Sequence, residues 1–308
     1  MTHAARRCGF VAVLGAPNAG KSTLVNALVG SKVSIVTPKV QTTRFPVRGV
    51  AIRGDSQIVF VDTPGIFKPR RRLDRAMVQS AWSGAKDADA VLVIVDALAE
   101  ISEPRGLAAR DTQSIIEGLF KSGRKTALVL NKIDAVSRQD LLPLAERLDT
   151  KPGFERVFMI SALKGDHVFD VREWCAMRVP EGPWLYPGDQ AADIPSRLLA
   201  AEITREKLYL RLHDELPYAA TVETEAWTER KDGSVRIDQT VFVERDGQKA
   251  IVLGKAGRAI KTIGEASRRD LEEIFGRRVH LFLFVKVRQN WAEEREHYSA
   301  IGLEYPKE

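Results

Sequence analysis

Residues 15–23 read Gly-Ala-Pro-Asn-Ala-Gly-Lys-Ser-Thr, between the apolar run Phe10–Leu14 and the stretch Leu24–Val29. The spacing Gly15-x-x-x-x-Gly20-Lys21-Ser22 suits a loop that wraps phosphate oxygens. Gly15, Ala16, Pro17, Asn18, Ala19 and Gly20 carry little side-chain bulk, so backbone N–H groups (Pro17 excepted) can approach an anion closely. A helix starting near Lys21 adds partial positive charge at its N-terminus. Lys21 would reach the β- and γ-phosphates, the Ser22 hydroxyl would ligate Mg²⁺, and Thr23 closes the loop. A plain strand–turn–helix corner could show the same letters, so the loop alone does not name its ligand.

Three more strings narrow the choice. Asp62-Thr63-Pro64-Gly65 follows the apolar run 58–61. The Asp62 carboxylate can hold Mg²⁺ through water, and the Gly65 N–H can come close to a γ-phosphate. Asn131-Lys132-Ile133-Asp134 follows the run 126–130. A carboxylate at Asp134 can accept from guanine N1–H and the 2-amino group together. Adenine offers neither donor there, and a site built for such bonds rejects an analogue that lacks them. The Lys132 stem can cover the base face. Ser161-Ala162-Leu163 ends a further run, where the Ala162 N–H could meet guanine O6. All four strings occur in order, each at the carboxyl end of an expected strand, where open α/β sheets bind ligands. GTP or GDP is the expected ligand.

The elements that must position these residues follow from periodicity. Strands are predicted at 11–14, 57–61, 91–95, 126–130 and 157–160, and helices at 21–29, 72–85, 111–121, 138–148 and 168–177. That rhythm predicts an α/β, doubly wound, mostly parallel sheet with helices on both faces, and an antiparallel edge strand at 47–52. From 180 to 195 four prolines and two glycines interrupt any period, which reads as a linker. Beyond it come a helix at 196–216, a hairpin over 219–244 turning at Asp232-Gly233, a helix at 258–275 and an alternating strand at 279–287. The boundaries expected are 8–178 for the nucleotide domain, 179–195 for the linker and 196–303 for a small α+β domain.

Composition limits the alternatives. With 308 residues, 44% hydrophobic and 29% charged, the chain reads as two ordinary globular domains. Its longest apolar run, near Ala90–Ala97, is broken by Asp96 and is far below the roughly 20 residues a membrane helix needs. No signal peptide is read, and Cys8 and Cys175 form no motif, which points to a reducing, cytoplasmic setting. The formal net charge of +6 is concentrated late: 249–288 holds ten Lys or Arg against four acids. Inside that segment Gly254-Lys255-Ala256-Gly257-Arg258 is a Gly-x-x-Gly loop ahead of a basic helix. Glycines there let a nucleic-acid backbone approach, and Lys255 and Arg258 supply charge for phosphates. Lys261 and Arg268 extend the charge along the helix. Ile251 and Leu253, with Ile260 and Ile263, are expected to form an apolar floor beneath bases.

The first four strings resemble those of translation-factor-type GTPases, with the Ras-like P-loop fold. Thr42-Thr43-Arg44 resembles the first switch of bacterial assembly GTPases, which implies that Thr43 or Thr42 caps Mg²⁺ in the GTP state. The position after Gly65 holds Ile66, where a Ras-type protein orients water with Gln. The resemblance to the hydrophobic-substituted subset implies slow unaided hydrolysis. Asn18 resembles the K⁺ ligand of cation-activated relatives. The implied catalytic set is Lys21, Thr43 and Gly65, with Asn18 as the candidate K⁺ ligand. Residues 249–288 resemble a KH domain of type II topology, which holds about four single-stranded nucleotides.

The whole chain is similar to the Era family. Gln41-Thr42-Thr43-Arg44, Arg205-Glu206-Lys207-Leu208, Gly254–Arg258 with Ile260-Lys261-Thr262-Ile263-Gly264, and Val285-Lys286-Val287 followed by Trp291 carry that resemblance. It implies a monomeric GTPase switch that binds the 3′ end of 16S rRNA and acts on a 30S subunit precursor. The first half of the second domain nets acidic, so RNA contacts are expected within 249–288. Two other classes are weighed: an RNA-binding module in which GTP is structural, and a related GTPase acting on tRNA or membranes. The basic run Lys68-Pro69-Arg70-Arg71-Arg72 leaves room for peripheral association with the inner membrane surface.

Overall fold

The structure is a computed structural model that describes residues 6–120, 125–149, 153–213 and 216–306. The chain divides into two compact units, with the main division between Asp193 and Ile194. The first unit runs β1 (Arg7–Gly15), α1 (Lys21–Val29), β2 (Val47–Arg53), β3 (Ser56–Asp62), α2 (Arg72–Asp87), β4 (Ala90–Asp96), α3 (Ala97–Ser102), α4 (Leu107–Phe120), β5 (Thr126–Asn131), α5 (Arg138–Leu148), β6 (Phe154–Met159), α6 (Val168–Arg178) and β7 (Ala192–Asp193). The seven-stranded sheet has the order β6-β5-β4-β1-β3-β2-β7. The strands from β6 to β3 are parallel, and β2 is antiparallel to both β3 and β7.

Alternation along β1 shows why both faces need cover. Val11 and Val13 join Leu24, Leu28, Phe60 and Trp174 in one core, under α1 and α6. Ala12 and Leu14 join Ile115, Leu119, Leu141 and Leu144 in the other, under α4 and α5. A strand buried on both faces is apolar throughout, which is why the strands were legible as unbroken runs. The short helix α3 was not expected. The Asp96 side chain caps it by accepting from Ala99 N at 3.1 Å, so the residue that breaks the apolar run also starts a helix. The expected helix at 111–121 starts four residues earlier, and Lys121 lies outside the described residues.

The stretch read as linker is not free chain. Its end, β7, adds to the free edge of β2 through Arg48↔Asp193 and Gly49↔Ala192. Before it, the buried Gln57 side chain reads the strap: its Oε1 accepts from Leu185 N at 2.8 Å and Tyr186 N at 3.0 Å, and its Nε2 donates to Tyr186 O at 2.8 Å. Trp184 Nε1 donates to Asp55 O at 3.0 Å and the Tyr186 hydroxyl to Asp193 at 2.7 Å. Proline-rich composition hid this, because the strap is held by side chains rather than by a period.

The second unit runs α7 (Ser196–Arg211), β8 (Ala220–Glu229), β9 (Val235–Val243), α8 (Asp246–Leu253), α9 (Arg258–Phe275), β10 (Val279–Val287) and α10 (Arg295–Ala300). Its sheet has the order β10-β9-β8. The hairpin β8–β9 is antiparallel, and β9–β10 is parallel because α8 and α9 carry the chain across. Helices cover one face over Leu208, Val241, Val243, Val252, Ile263 and Val285. The order αββααβ is that of a type II KH domain. The expected helix at 196–216 ends at Arg211, and residues 214–215 lie outside the described residues. No helix among the described residues is long and apolar enough to cross a membrane.

Replacing Gln57 by Leu leaves two strap amides and one carbonyl without partners. Because a buried polar group left unsatisfied costs about 1–3 kcal/mol, we expect Gln57→Leu to lower stability in urea unfolding by about 2–3 kcal/mol. An unchanged midpoint would show that the strap is held by other contacts.

Candidate functional site

The parallel strands β1, β3, β5 and β6 end at one edge of the sheet, and the four motifs begin there. Between β1 and α1 the loop keeps two left-handed residues, Asn18 (φ 62°) and Gly20 (φ 96°). Asn tolerates that conformation better than most side chains do. At Gly20 a Cβ would stand 2.2 Å from Asn131 Nδ2, so glycine is required by space as well as by φ. Asn18 is exposed at the loop tip, while Ala16, Ala19 and Lys21 are buried and Pro17, Gly20, Ser22 and Thr23 are partly so.

The Lys21 ammonium points into the loop and donates to Gly15 O at 3.2 Å and Ala16 O at 2.9 Å. Burial lowers it to about 8, although the nearby Asp62 carboxylate favours its charged form. The hydroxyl of Ser22 lies 2.7 Å from Asp62 Oδ2 and 2.9 Å from Thr43 Oγ1, and Thr43 Oγ1 lies 3.4 Å from Asp62 Oδ2. Thr43 is the threonine that reaches this cluster. Asp62 is fully buried, burial pushes its carboxyl up, and its Oδ1 has no hydrogen-bond partner among the described residues. Two hydroxyl oxygens beside a buried carboxylate with a spare oxygen make a hard-oxygen set that fits a small divalent cation such as Mg²⁺.

The Asp62-Thr63-Pro64-Gly65 turn is tied to the loop. Thr63 Oγ1 donates to Val13 O at 2.7 Å, and Ile66 N donates to Gly15 O at 3.1 Å. A Cβ at Gly65 would meet Pro17 at 3.0 Å, which keeps this turn close against the phosphate loop. The Ile66 side chain is buried in the core under α4.

At the other end of the site, Asn131 acts as a crossbar. Its Nδ2 donates to Ala19 O at 2.9 Å and its Oδ1 accepts from Ala162 N at 2.9 Å. The Ala162 amide, expected to meet guanine O6, is therefore already engaged by Asn131. Ser161 is fully buried and Leu163 is exposed. Asp134 stands exposed at the sheet edge, and the Ser161 hydroxyl holds its carboxyl below the usual carboxylate range. Lys132, with φ 66°, forms an ion pair with Asp96. Asp96 thus caps α3 and steadies the lysine expected over the base. Its polar type at the end of an apolar strand was the signal that could have found it.

In the second unit, Gly254 (φ 69°), Ala256 (φ 53°) and Gly257 (φ 72°) turn the chain from α8 into α9. A Cβ at Gly254 would come within 2.6 Å of Ala259 Cβ. Lys255, Ala256, Arg258, Lys261 and Arg268 are all exposed on the turn and helix. Beside the turn, a groove of about 300 Å³ runs between α9 and β10, lined by Ile260, Lys261, Gly264, Glu265, Arg268, Leu281 and Leu283. The structure corrects the expected floor. Ile263 is buried in the core, Ile251 is exposed on α8, and Leu253 packs partly against the core. The apolar wall is Ile260 with Leu281 and Leu283. Those two leucines belong to β10, the strand that follows α9, and the fold-back of the chain brings them to the helix.

Residues 10–132 match the family described as 50S ribosome-binding GTPase, and residues 215–292 match the KH domain family. The chain is 61% identical over 306 residues to GTPase Era of Caulobacter vibrioides, covering 97% of each. It is 60% identical over 301 residues to GTPase Era of Rhizobium meliloti, covering 98% of this chain and 94% of the relative. Among solved structures it is similar to Era in complex with MgGDPNP and nucleotides 1506–1542 of 16S ribosomal RNA, with a TM-score of 0.88 and 36% identity over 96% of this chain and 99% of that one. It is equally similar, at a TM-score of 0.88 and 37% identity with the same coverage, to a variant Aquifex aeolicus Era bound to GDP·AlF₄⁻.

Polyphosphate beside Lys21 favours the ammonium and raises its pKa from about 8, so binding takes up a proton above that pH. Nucleotide affinity should be flat below about pH 8 and fall by up to about tenfold per pH unit above it. Titration calorimetry in two buffers of different ionisation heat should show uptake approaching one proton near pH 9. No uptake there would mean that Lys21 stays charged in the free protein.

Proposed function

The chain belongs to the Era family of GTPases, and we propose that it is a GTP-driven switch in assembly of the small ribosomal subunit. In this reading its second unit holds the 3′ end of 16S rRNA. It is an enzyme that hydrolyses GTP to GDP and phosphate. The observation that supports the RNA half most directly is the groove between α9 and β10, where Lys261 and Arg268 stand beside an apolar wall and the exposed Lys255 and Arg258 precede them in the chain. The solved relative that carries a 16S rRNA fragment favours the same partner. The family description that names the 50S subunit covers residues 10–132 only, ahead of the KH domain. We assign the GTP-binding domain to 8–178, extended by the strap to Asp193, and the RNA-binding domain to 196–303.

The site residues divide the work. Backbone N–H groups between Gly15 and Thr23 and the Lys21 ammonium bind the β- and γ-phosphates. Ser22 and Thr43, with Asp62 through water, would hold Mg²⁺, which when bound neutralises charge on the phosphate oxygens. Thr43 is preferred to Thr42 because its hydroxyl lies beside the Ser22 hydroxyl and the Asp62 carboxylate. Gly65 offers its N–H to the γ-phosphate. Asp134 accepts from guanine, Lys132 covers the base, and Asn131 holds the loop of Ser161, Ala162 and Leu163 against the phosphate loop. Ile66, buried and apolar, cannot orient water, so water placement falls to backbone groups of the switches or to a partner, and unaided turnover is slow. Asn18, exposed at the loop tip, would ligate K⁺ beside the phosphates in this reading.

In the GTP state these contacts order the switches, and hydrolysis releases the assembly particle. We take the protein to act as a cytoplasmic monomer. Peripheral contact with an anionic membrane surface would rest on the exposed Lys68, Arg70 and Arg71 and is accessory to this reading.

Crosslinking to cellular RNA tests the partner. Gly254→Asp strains the turn itself, so Lys255→Glu with Lys261→Glu, both exposed, is the cleaner variant. It should keep GTP binding and lose at least about tenfold in RNA crosslinks; full crosslinking would move the RNA site elsewhere. Loading with a GTP analogue should give more crosslinks than GDP, and equal yields would favour structural GTP. For hydrolysis, turnover should be faster in K⁺ than in Na⁺ at equal ionic strength, and Asn18→Ala should remove the difference. Equal rates in the wild type would end the K⁺ assignment.

A further inference from the structure

Helix α9 turns one stripe toward β10. Ile260, Lys261, Gly264, Glu265 and Arg268 follow the spacing of a single helix face, and all five line the groove with Leu281 and Leu283. Gly264 is the narrow point. A Cβ there would already touch Leu283 at 3.4 Å, so a longer side chain would close the slot between helix and strand. The slot has an apolar wall of Ile260, Leu281 and Leu283.

Glu265 is the one acid that lines this groove. A glutamate on a basic helix face ordinarily pairs with a cation three or four residues away. Lys261, Arg268 and Arg269 stand at those distances, yet the Glu265 carboxylate forms no ion pair and no hydrogen bond among the described residues. A free carboxylate repels phosphate and cannot serve the polyanion's backbone. The backbone is served instead by Lys261, one turn before, and Arg268, nearly one turn after. What remains for Glu265 is the edge of the base in the slot. A carboxylate accepts only, so it demands a donor. Guanine, adenine and cytosine each present an amino group. Uracil presents a single N3–H between two carbonyl oxygens that repel the carboxylate.

We propose that Glu265 sets the base preference of this groove, accepting a hydrogen bond from an amino-bearing nucleobase of single-stranded RNA and discriminating against uracil at that position. The proposal rests on the RNA-binding function of the second unit and adds its specificity.

The test uses the full chain loaded with a GTP analogue and short single-stranded RNAs in which each position is varied through the four bases. The wild type should show one position at which uracil weakens binding by about tenfold or more. Glu265→Gln, whose amide can donate to a uracil oxygen, should bring the four bases within about twofold there and leave the other positions unchanged. A uniform change across all the RNAs, or unchanged discrimination, would overturn the assignment and leave Glu265 a general charge at the groove rim. The double variant Lys255→Glu, Lys261→Glu separates the two readings. If it binds RNA as the wild type does, the groove itself has failed; if it loses RNA while Glu265→Gln still rejects uracil, the Glu265 assignment alone falls.

Discussion

One side-chain amide joins the two ends of the nucleotide site. Asn131 donates to the carbonyl of Ala19 in the phosphate loop and accepts from the amide of Ala162 in the loop after β6. Gly20 must lack a side chain for Asn131 to lie there. The phosphate loop and the loop after β6 are therefore held against one another by a single side chain from the end of β5. An amide suits the place because it offers a donor and an acceptor on one rigid plane. A carboxylate at that position would oppose the Ala19 carbonyl, and a hydroxyl would not span both partners.

Charge is handled by concentration and burial. Lys21 and Asp62 are taken out of water at the edge of the sheet, and burial disfavours the charged form of each. Under the proposed function each would gain a partner of opposite sign: phosphate for the ammonium, a dication for the carboxylate. Ser22 and Thr43 satisfy one oxygen of Asp62, and the other has no partner among the described residues. The cost of that arrangement falls on the free protein, and the gain appears when nucleotide and metal arrive. The buried Ile66 adds the complementary constraint, since it closes the core under the phosphate loop and gives up the polar group that could have aligned water.

The second unit uses a different device. Its groove has few buried polar groups, and its charges stay in solvent on α9. Specificity in such a site comes from what the slot admits and from which edge group is left unpaired. Gly264 sets the first, and Glu265 is placed to set the second. Parallel pairing of β9 and β10 matters here, because it puts β10 at the edge of the sheet beside α9 with its leucines facing the helix.

Strands buried on both faces were legible because burial demands unbroken apolar runs. The phosphate and guanine motifs were legible because each is a local string whose chemistry depends on neighbours in sequence. The strap over 180–193 was not, since its hold depends on Gln57, more than a hundred residues earlier. Helix α8 was missed for a similar reason: of its apolar residues only Val252 is buried, which leaves little period to read. The expected floor of Ile251, Leu253 and Ile263 failed because a stripe of apolar residues does not say which of them faces the core.

The sequence by itself determined the ligand class, the two-unit plan and the residues that carry charge, since these rest on local order and residue type. Tertiary structure decided that Thr43 joins Ser22 and Asp62, that Asn131 takes the Ala162 amide, and that Leu281 and Leu283 complete the groove. Each of these is a meeting of groups far apart in the chain. Such meetings are set by packing and by the need to satisfy buried polar atoms, which no local pattern records.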